Sequence, residues 1–403
     1  MTAAARLATD AEPVTPIRQG NRLQAIDVLR GLVIILMVID HVRDFFHAGM
    51  FTVPPQDPLN IETGNPWLYA TRWITHFCAP TFVFLAGAGA WLQLNAGKTP
   101  RQLAWFLFTR GLWLIVLEMT VVNLGWSFAI GLPFLQVIWA IGASMVILAA
   151  LVWLPSAAIL ALGVLIVAGH NALAPFDAAT DTPLWNLLHE QGVVATFGEA
   201  GVIFNDYPLL PWFGVMCLGY GTASLWVSPD RDRNFMILGL SMIAAFLALR
   251  FGNVYGDPGP WKPQDETWKT VGSFLNLQKY PPSLVYVLAT LGPMLALVPL
   301  WSRLRGWVAE IFLTYGRVPL FAYVLHIFVA HALMAAVGVA MGRDFSSFQS
   351  FLFNPGHALP GWGFGLEVVY LVWLVTLIIL FPLCRWFGKY KRENRDKWWL
   401  SYL

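Results

Sequence analysis

The chain has 403 residues, of which 57% are hydrophobic and only 12% charged, against about 25% charged in soluble domains. That composition excludes an ordinary soluble protein and points to a polytopic membrane protein. The formal net charge of +2 comes from basic residues dispersed among loops without an aromatic-basic patch, which excludes nucleic acid as a partner.

Residues 1–20 carry no apolar core and no small-residue cleavage site, so the first apolar run reads as a retained anchor behind a disordered cytoplasmic N-terminus. That run, RLQAIDVLRGLVIILMVIDHVRDFFH from Arg22 to His47, keeps its charges at its ends. On a helix, Arg30 and His41 fall on nearly one face, about 16 Å apart in depth. Asp40, Arg43, Asp44 and His47 follow at helical spacing and form an ionisable stripe at the far end. Such groups at membrane depth usually face a bundle interior or a wet cavity and mark function. Histidine beside a carboxylate is the commonest general base; the alternative is a charged helix end in the interface.

About ten spans of roughly 20 residues follow from the apolar runs, at 24–46, 69–94, 102–126, 133–153, 156–173, 207–227, 234–251, 283–301, 315–341 and 363–387. The second, TRWITHFCAPTFVFLAGAGAW, has Arg72 and His76 at i,i+4 near its exterior end, and its small residues Ala86 to Ala90 permit a close helix neighbour. In the third, Arg110 and Glu118 lie two turns apart, and Glu118 needs a partner or stays protonated; pairing with an Arg or His of a neighbouring helix and a catalytic role are both open. Asp206-Tyr207-Pro208 reads as a helix start, with Asp206 capping and Pro208 in the first turn. The ninth, LTYGRVPLFAYVLHIFVAHALM, carries Arg317 at its cytoplasmic end, and Tyr323 and His326 share a face at i,i+3. His331 lies ~140° round from His326, a poor pair for one metal, and none is expected. Arg30, Arg101, Arg110 and Arg317 are candidates for a basic mouth that takes a phosphate-bearing ligand; positive-inside anchoring is the plain alternative.

An even count puts both termini on one side. The turns holding Lys98 and Arg101, Arg231 and Arg233, and Arg303 and Arg305 share that side with the tail KYKRENRDK, which marks it as cytoplasmic. Segments 47–68 and 174–206 have no Lys or Arg and read as exterior; 252–281 also reads as exterior, although it carries three lysines. Cys78, Cys217 and Cys384 are scattered in apolar surroundings and give neither a disulfide framework nor a metal site. No H-E-x-x-H, G-x-S-x-G or G-x-x-x-x-G-K-[ST] pattern occurs, removing the usual protease, hydrolase and NTPase readings. The expected fold is an all-α integral membrane protein, one bundle of about ten transmembrane helices over residues 21–388, with a basic cytoplasmic tail at 389–403.

The Arg30 to His41 stretch resembles the Arg-x10-His signature of acyltransferase-3-type membrane acyltransferases. A more specific likeness lies in RLQAIDVLRGLVIILMVIDHVRDFF, RWITHFCAPTFVFLAG, YPLLPWFGVMCLGYG, KYPPSL and GRVPLFAYVLHIFVAH. These resemble bacterial proteins grouped with the heparan-α-glucosaminide N-acetyltransferase catalytic domain. The resemblance implies transfer of an acetyl or other acyl group from cytosolic acyl-CoA, the co-substrate, to a hydroxyl or amine on a glycan or small molecule outside a bacterial inner membrane. It leaves the base open between His41, which fits the first signature, and His47, the candidate for the exterior-loop histidine of the second family. Asp40 or Asp44 would orient that histidine; Arg43, Arg72, His76, Tyr323 and His326 are substrate-binding candidates, and Arg30, Arg101, Arg110 and Arg317 coenzyme A candidates. Partners are then the bilayer, acyl-CoA and the acceptor, with room for a homodimer. Two other classes stay open: a proton-coupled small-molecule transporter using the same groups as a relay, and a non-catalytic scaffold.

Overall fold

The computed structural model describes residues 24–131, 133–176, 182–198 and 201–402. The expected N-terminal segment, residues 1–20, lies outside them. The principal helices are α1 (Gln24–Phe46), α2 (Pro66–Asn95), α3 (Pro100–Ser127), α4 (Val137–Leu151), α5 (Ser156–Phe176), α6 (Leu209–Gly221), α7 (Arg231–Gly252), α8 (Leu284–Arg303), α9 (Gly306–Gly316), α10 (Pro319–Ala340) and α11 (Leu366–Glu393). Seven of them, α2, α3, α5, α7, α8, α10 and α11, are long and apolar enough to cross a membrane. The other three expected spans fall short of that standard for different reasons: α4 has 15 residues, α6 has 13, and α1 carries five charges in its 23 residues.

Burial sorts the helices. Helix α1 has 15 of its 23 residues buried and packs against α2, α9, α10 and α11, so a helix with five charges sits inside the bundle. The apolar windows of α5 and α11 are only 22% and 17% buried within the protein, as those of lipid-facing helices must be. Two crossings bring backbones together. A Cβ on Gly316 would lie 1.8 Å from the Asp27 carbonyl oxygen, and one on Gly31 1.8 Å from that of Phe312, so α1 and α9 touch without side chains between them. Gly87 meets the Met216 carbonyl at 2.0 Å in the same sense, which makes the small-residue run of α2 the contact with α6.

A small sheet interrupts the helical pattern. Strand β1 (Phe134–Leu135) runs parallel to β3 (Val202–Asn205), which pairs antiparallel with β2 (Gly192–Thr196), with Phe134 opposite Phe204. Asp206 does not cap α6: Pro208 holds the N-cap position, and the Asp206 carboxylate accepts a hydrogen bond from the Gln191 amide at 2.8 Å. Burial pushes that carboxyl up to about 6. Among the described residues, Glu118 pairs with neither an arginine nor a histidine. One of its oxygens accepts the Trp139 backbone N–H at 3.0 Å in the first turn of α4, from a π-helical turn over Glu118–Val122.

Candidate active site

At the end of the bundle where the lysines and arginines gather, α1, α2, α3 and α10 enclose a cavity of about 460 Å³. Small residues Ala86, Gly89 and Ala90 of α2 open the space, and Arg30, Lys98, Arg110, Arg317 and Lys391 line it. Some of these cations have partners: Arg30 reaches Asp27 at 3.4 Å, Arg317 reaches Glu310 at 3.5 Å, and Arg110 donates to the Ser401 carbonyl. Burial and the charge of Arg110 pull the Lys98 ammonium, in the turn before α3, below its usual range. Five cations crowd around one apolar-floored pocket, and Arg and Lys side chains are the kind that pair with phosphate groups. Arg101 is exposed and lines no part of it.

Deeper in, Phe82 and Val137 form a wall common to this cavity and to a small chamber of about 30 Å³ that holds His41. The His41 Nδ1 lies 2.6 Å from His326 Nε2, with the two rings 19° from coplanar. The other ring nitrogen of His326, Nδ1, is 3.1 Å from the Ala322 carbonyl one turn back on α10. A carbonyl only accepts, so His326 Nδ1 carries the proton, its Nε2 accepts from His41 Nδ1–H, and His41 Nε2 is left with a lone pair. Trp126 and Tyr323 pack edge-on against His41 at 4.8 and 6.4 Å between ring centres.

Towards the opposite, loop-bearing end, the carboxylates of α1 are taken up by guanidinium groups. Arg43 donates to Asp40 at 3.0 Å and to Asp44 at 2.7 Å, and Arg72 donates to the second Asp40 oxygen at 2.6 Å. Neither Asp40 nor Asp44 therefore orients a histidine, as the sequence spacing had suggested. The reason is competition: a buried carboxylate gains more from two charge-assisted bonds than from a neutral imidazole. The two arginines and Asp44 face a second cavity of about 300 Å³, lined also by His47, Gln56, Asp57, His76, Lys279 and Tyr280. His47 sits at the N-cap of the turn after α1, where its Nδ1 accepts the Gly49 N–H at 3.1 Å. A neutral His47 then holds its proton on Nε2. Burial and the nearby charge of Arg43 lower its pKa from 6.5. His76 is 1% exposed, and neither of its ring nitrogens has a hydrogen-bond partner.

The structure thus brings together Arg30, Arg110, Arg317 and Tyr323 around the first cavity, His41 and His326 at the centre, and Arg43, Asp44, His47, Arg72 and His76 around the second. Sequence reasoning missed Lys98, Lys391 and Lys279. The signal for Lys279 was present: it is one of the three lysines that break the charge bias of segment 252–281.

The family model for the catalytic region of heparan-alpha-glucosaminide N-acetyltransferase matches residues 22–253. The chain belongs to this family. No curated protein matches it. As a heparan-alpha-glucosaminide N-acetyltransferase family member it is a membrane acyltransferase, and nothing in that membership supports the transporter alternative. The matched stretch carries Arg30, His41, His47, Arg72, His76 and Arg110, whereas Lys279, Arg317, Tyr323 and His326 lie beyond it.

Proposed function

We propose that this family member moves an acetyl or similar acyl group from a coenzyme A thioester in the basic cavity to a hydroxyl or amine acceptor in the loop-side cavity, with His41 as the general base. The observation that carries the reading is the position of His41: its chamber shares Phe82 and Val137 with the basic cavity and Lys279 with the loop-side one. The cations of the first cavity suit the phosphates of the donor, and Tyr323 borders the path by which the thioester would reach His41. His41 is favoured over His47 because its Nε2 lone pair is free to take a proton, while the Nδ1 of His47 is engaged by a backbone amide.

In this reading His41 accepts the acceptor's proton as the acceptor attacks the thioester carbonyl, and returns it to the departing thiolate. Arg43, Arg72 and His76 hold the acceptor. The basic cavity faces the cytoplasm of a bacterial inner membrane, both termini with it, and residues 21–388 form one domain of about ten spans. The acceptor is a glycan or another molecule of the cell envelope.

Purified protein should bind acetyl-CoA and release free coenzyme A when offered hydroxyl or amine acceptors. His41→Ala should lower that turnover by about 10²–10⁴-fold, the cost of a lost general base, with acetyl-CoA binding near normal. A dead His47→Ala enzyme beside a fully active His41→Ala enzyme would reverse the assignment, and a protein that neither binds nor cleaves acetyl-CoA would sink the reading.

A further inference from the structure

Lys279 is the residue common to the chamber around His41 and the loop-side cavity. It is 9% exposed, and among the described residues no carboxylate lies within 4.0 Å of its ammonium and no hydrogen bond engages it. The three acids that feel its charge have other hydrogen-bond partners: the oxygens of Asp40 go to Arg43 and Arg72, Asp44 goes to Arg43, and Asp206 accepts from the Gln191 amide. The ammonium instead lies 4.9 Å from the ring centre of Tyr280 and 5.9 Å from that of Tyr207. Aromatic faces attract a cation without consuming its N–H donors, so those donors stay available.

A buried lysine without an anion is costly, and the turn that carries this one is braced on both sides. Asp257 accepts from the Gln278 backbone N–H at 3.0 Å and from the Ser283 hydroxyl at 2.7 Å, on either side of Lys279. Arg250 anchors Asp257 in turn at 3.7 Å, and Lys279 pairs as a β-bridge with Pro282. The backbone that carries Lys279 is thereby fixed between the His41 chamber and the loop-side cavity.

Building on the acyltransfer reading, we infer that Lys279 is a catalytic residue whose ammonium binds the oxyanion of the tetrahedral adduct. The acceptor's lone pair forms the new bond to the thioester carbonyl carbon, and the carbonyl π pair moves to its oxygen beside Lys279. His41 Nε2 takes the acceptor proton. On collapse the oxygen's pair re-forms the carbonyl, the carbon–sulfur bond breaks, and the thiolate leaves with the proton from His41. A fixed cation aimed at developing charge in a site screened from water is the arrangement that lowers such barriers most.

The test uses the full chain in detergent or nanodiscs, with acetyl-CoA as donor and free coenzyme A release as readout. Lys279→Gln should lower kcat by about 10²–10³-fold, the cost of one oxyanion donor, with unchanged KM for acetyl-CoA and an unchanged unfolding temperature. Lys279→Arg, which keeps the cation, should recover a large part of that loss. Full activity in Lys279→Gln would overturn the inference while leaving the acyltransfer reading intact. So would equal loss in both variants, or a loss that tracks weakened acetyl-CoA binding. A wild-type protein without acetyl-CoA turnover would overturn both.

Discussion

The short contact between His41 and His326 gives the second imidazole a defined duty. With its own proton committed to the Ala322 carbonyl, His326 sets the ring orientation and tautomer of His41, and in the proposed reaction it would act through that histidine. His326→Ala should therefore lower kcat by about 10²-fold, the usual penalty for a misplaced reacting group, and leave acetyl-CoA affinity unchanged. Equal losses in kcat and in binding would mean that His326 holds up the cavity instead. This pairing was not legible in the sequence, because it joins residues 285 positions apart and no local spacing encodes it. The Asp40, Arg43, Asp44 and His47 stripe was legible as a group of ionisable residues, but not in its pairing, since Arg72 arrives from another helix. Lys279 was hidden for a further reason: its charge reads as an ordinary loop lysine until the turn around Asp257 carries it inward.

At the scale of whole helices, apolar runs were enough to locate each long span, because a lipid-facing segment has to be hydrophobic along its full length. The three-stranded sheet escaped notice, its strands being two, five and four residues long within Gly- and Asn-bearing connections. The break between α9 and α10 was missed too. There the backbone of α9 closes on α1, and Arg317 and Arg30 come to the same cavity. That convergence separates the four arginines first grouped by placement alone. Arg30→Gln, Arg110→Gln and Arg317→Gln should each weaken acetyl-CoA binding by about 1.5–3 kcal/mol, the range for a hydrogen bond to a charged group. Arg101→Gln, whose side chain lies outside the cavity, should bind as wild type. Isothermal titration of the four variants checks this, and uniform behaviour across all four would remove the cavity from the argument.

For the molecule as a whole, the direction of transfer depends on which end meets the cytoplasm. Ser228 lies in the connection between α6 and α7, next to Arg231 and Arg233 in the first turn of α7, so it should be cytoplasmic by the positive-inside rule. A cysteine at Ser228 should resist an impermeant thiol reagent in intact cells and react after permeabilisation. Labelling in intact cells would invert the proposed direction.

The division of the interior into two open cavities and a narrow middle also has an electrical meaning. In the proposed topology the two cavities open on opposite faces of the bilayer, and side chains such as Phe82, Val137 and Lys279 would be what part the two compartments. With both cavities filled by water, most of the membrane voltage would fall across those few side chains instead of across the full hydrocarbon thickness. A unit charge carried over that septum feels about 2.3 kcal/mol per 100 mV. Any proton that enters His41 from one compartment and leaves to the other crosses nearly the whole of that drop, so the energised state of the membrane acts on the central histidine directly.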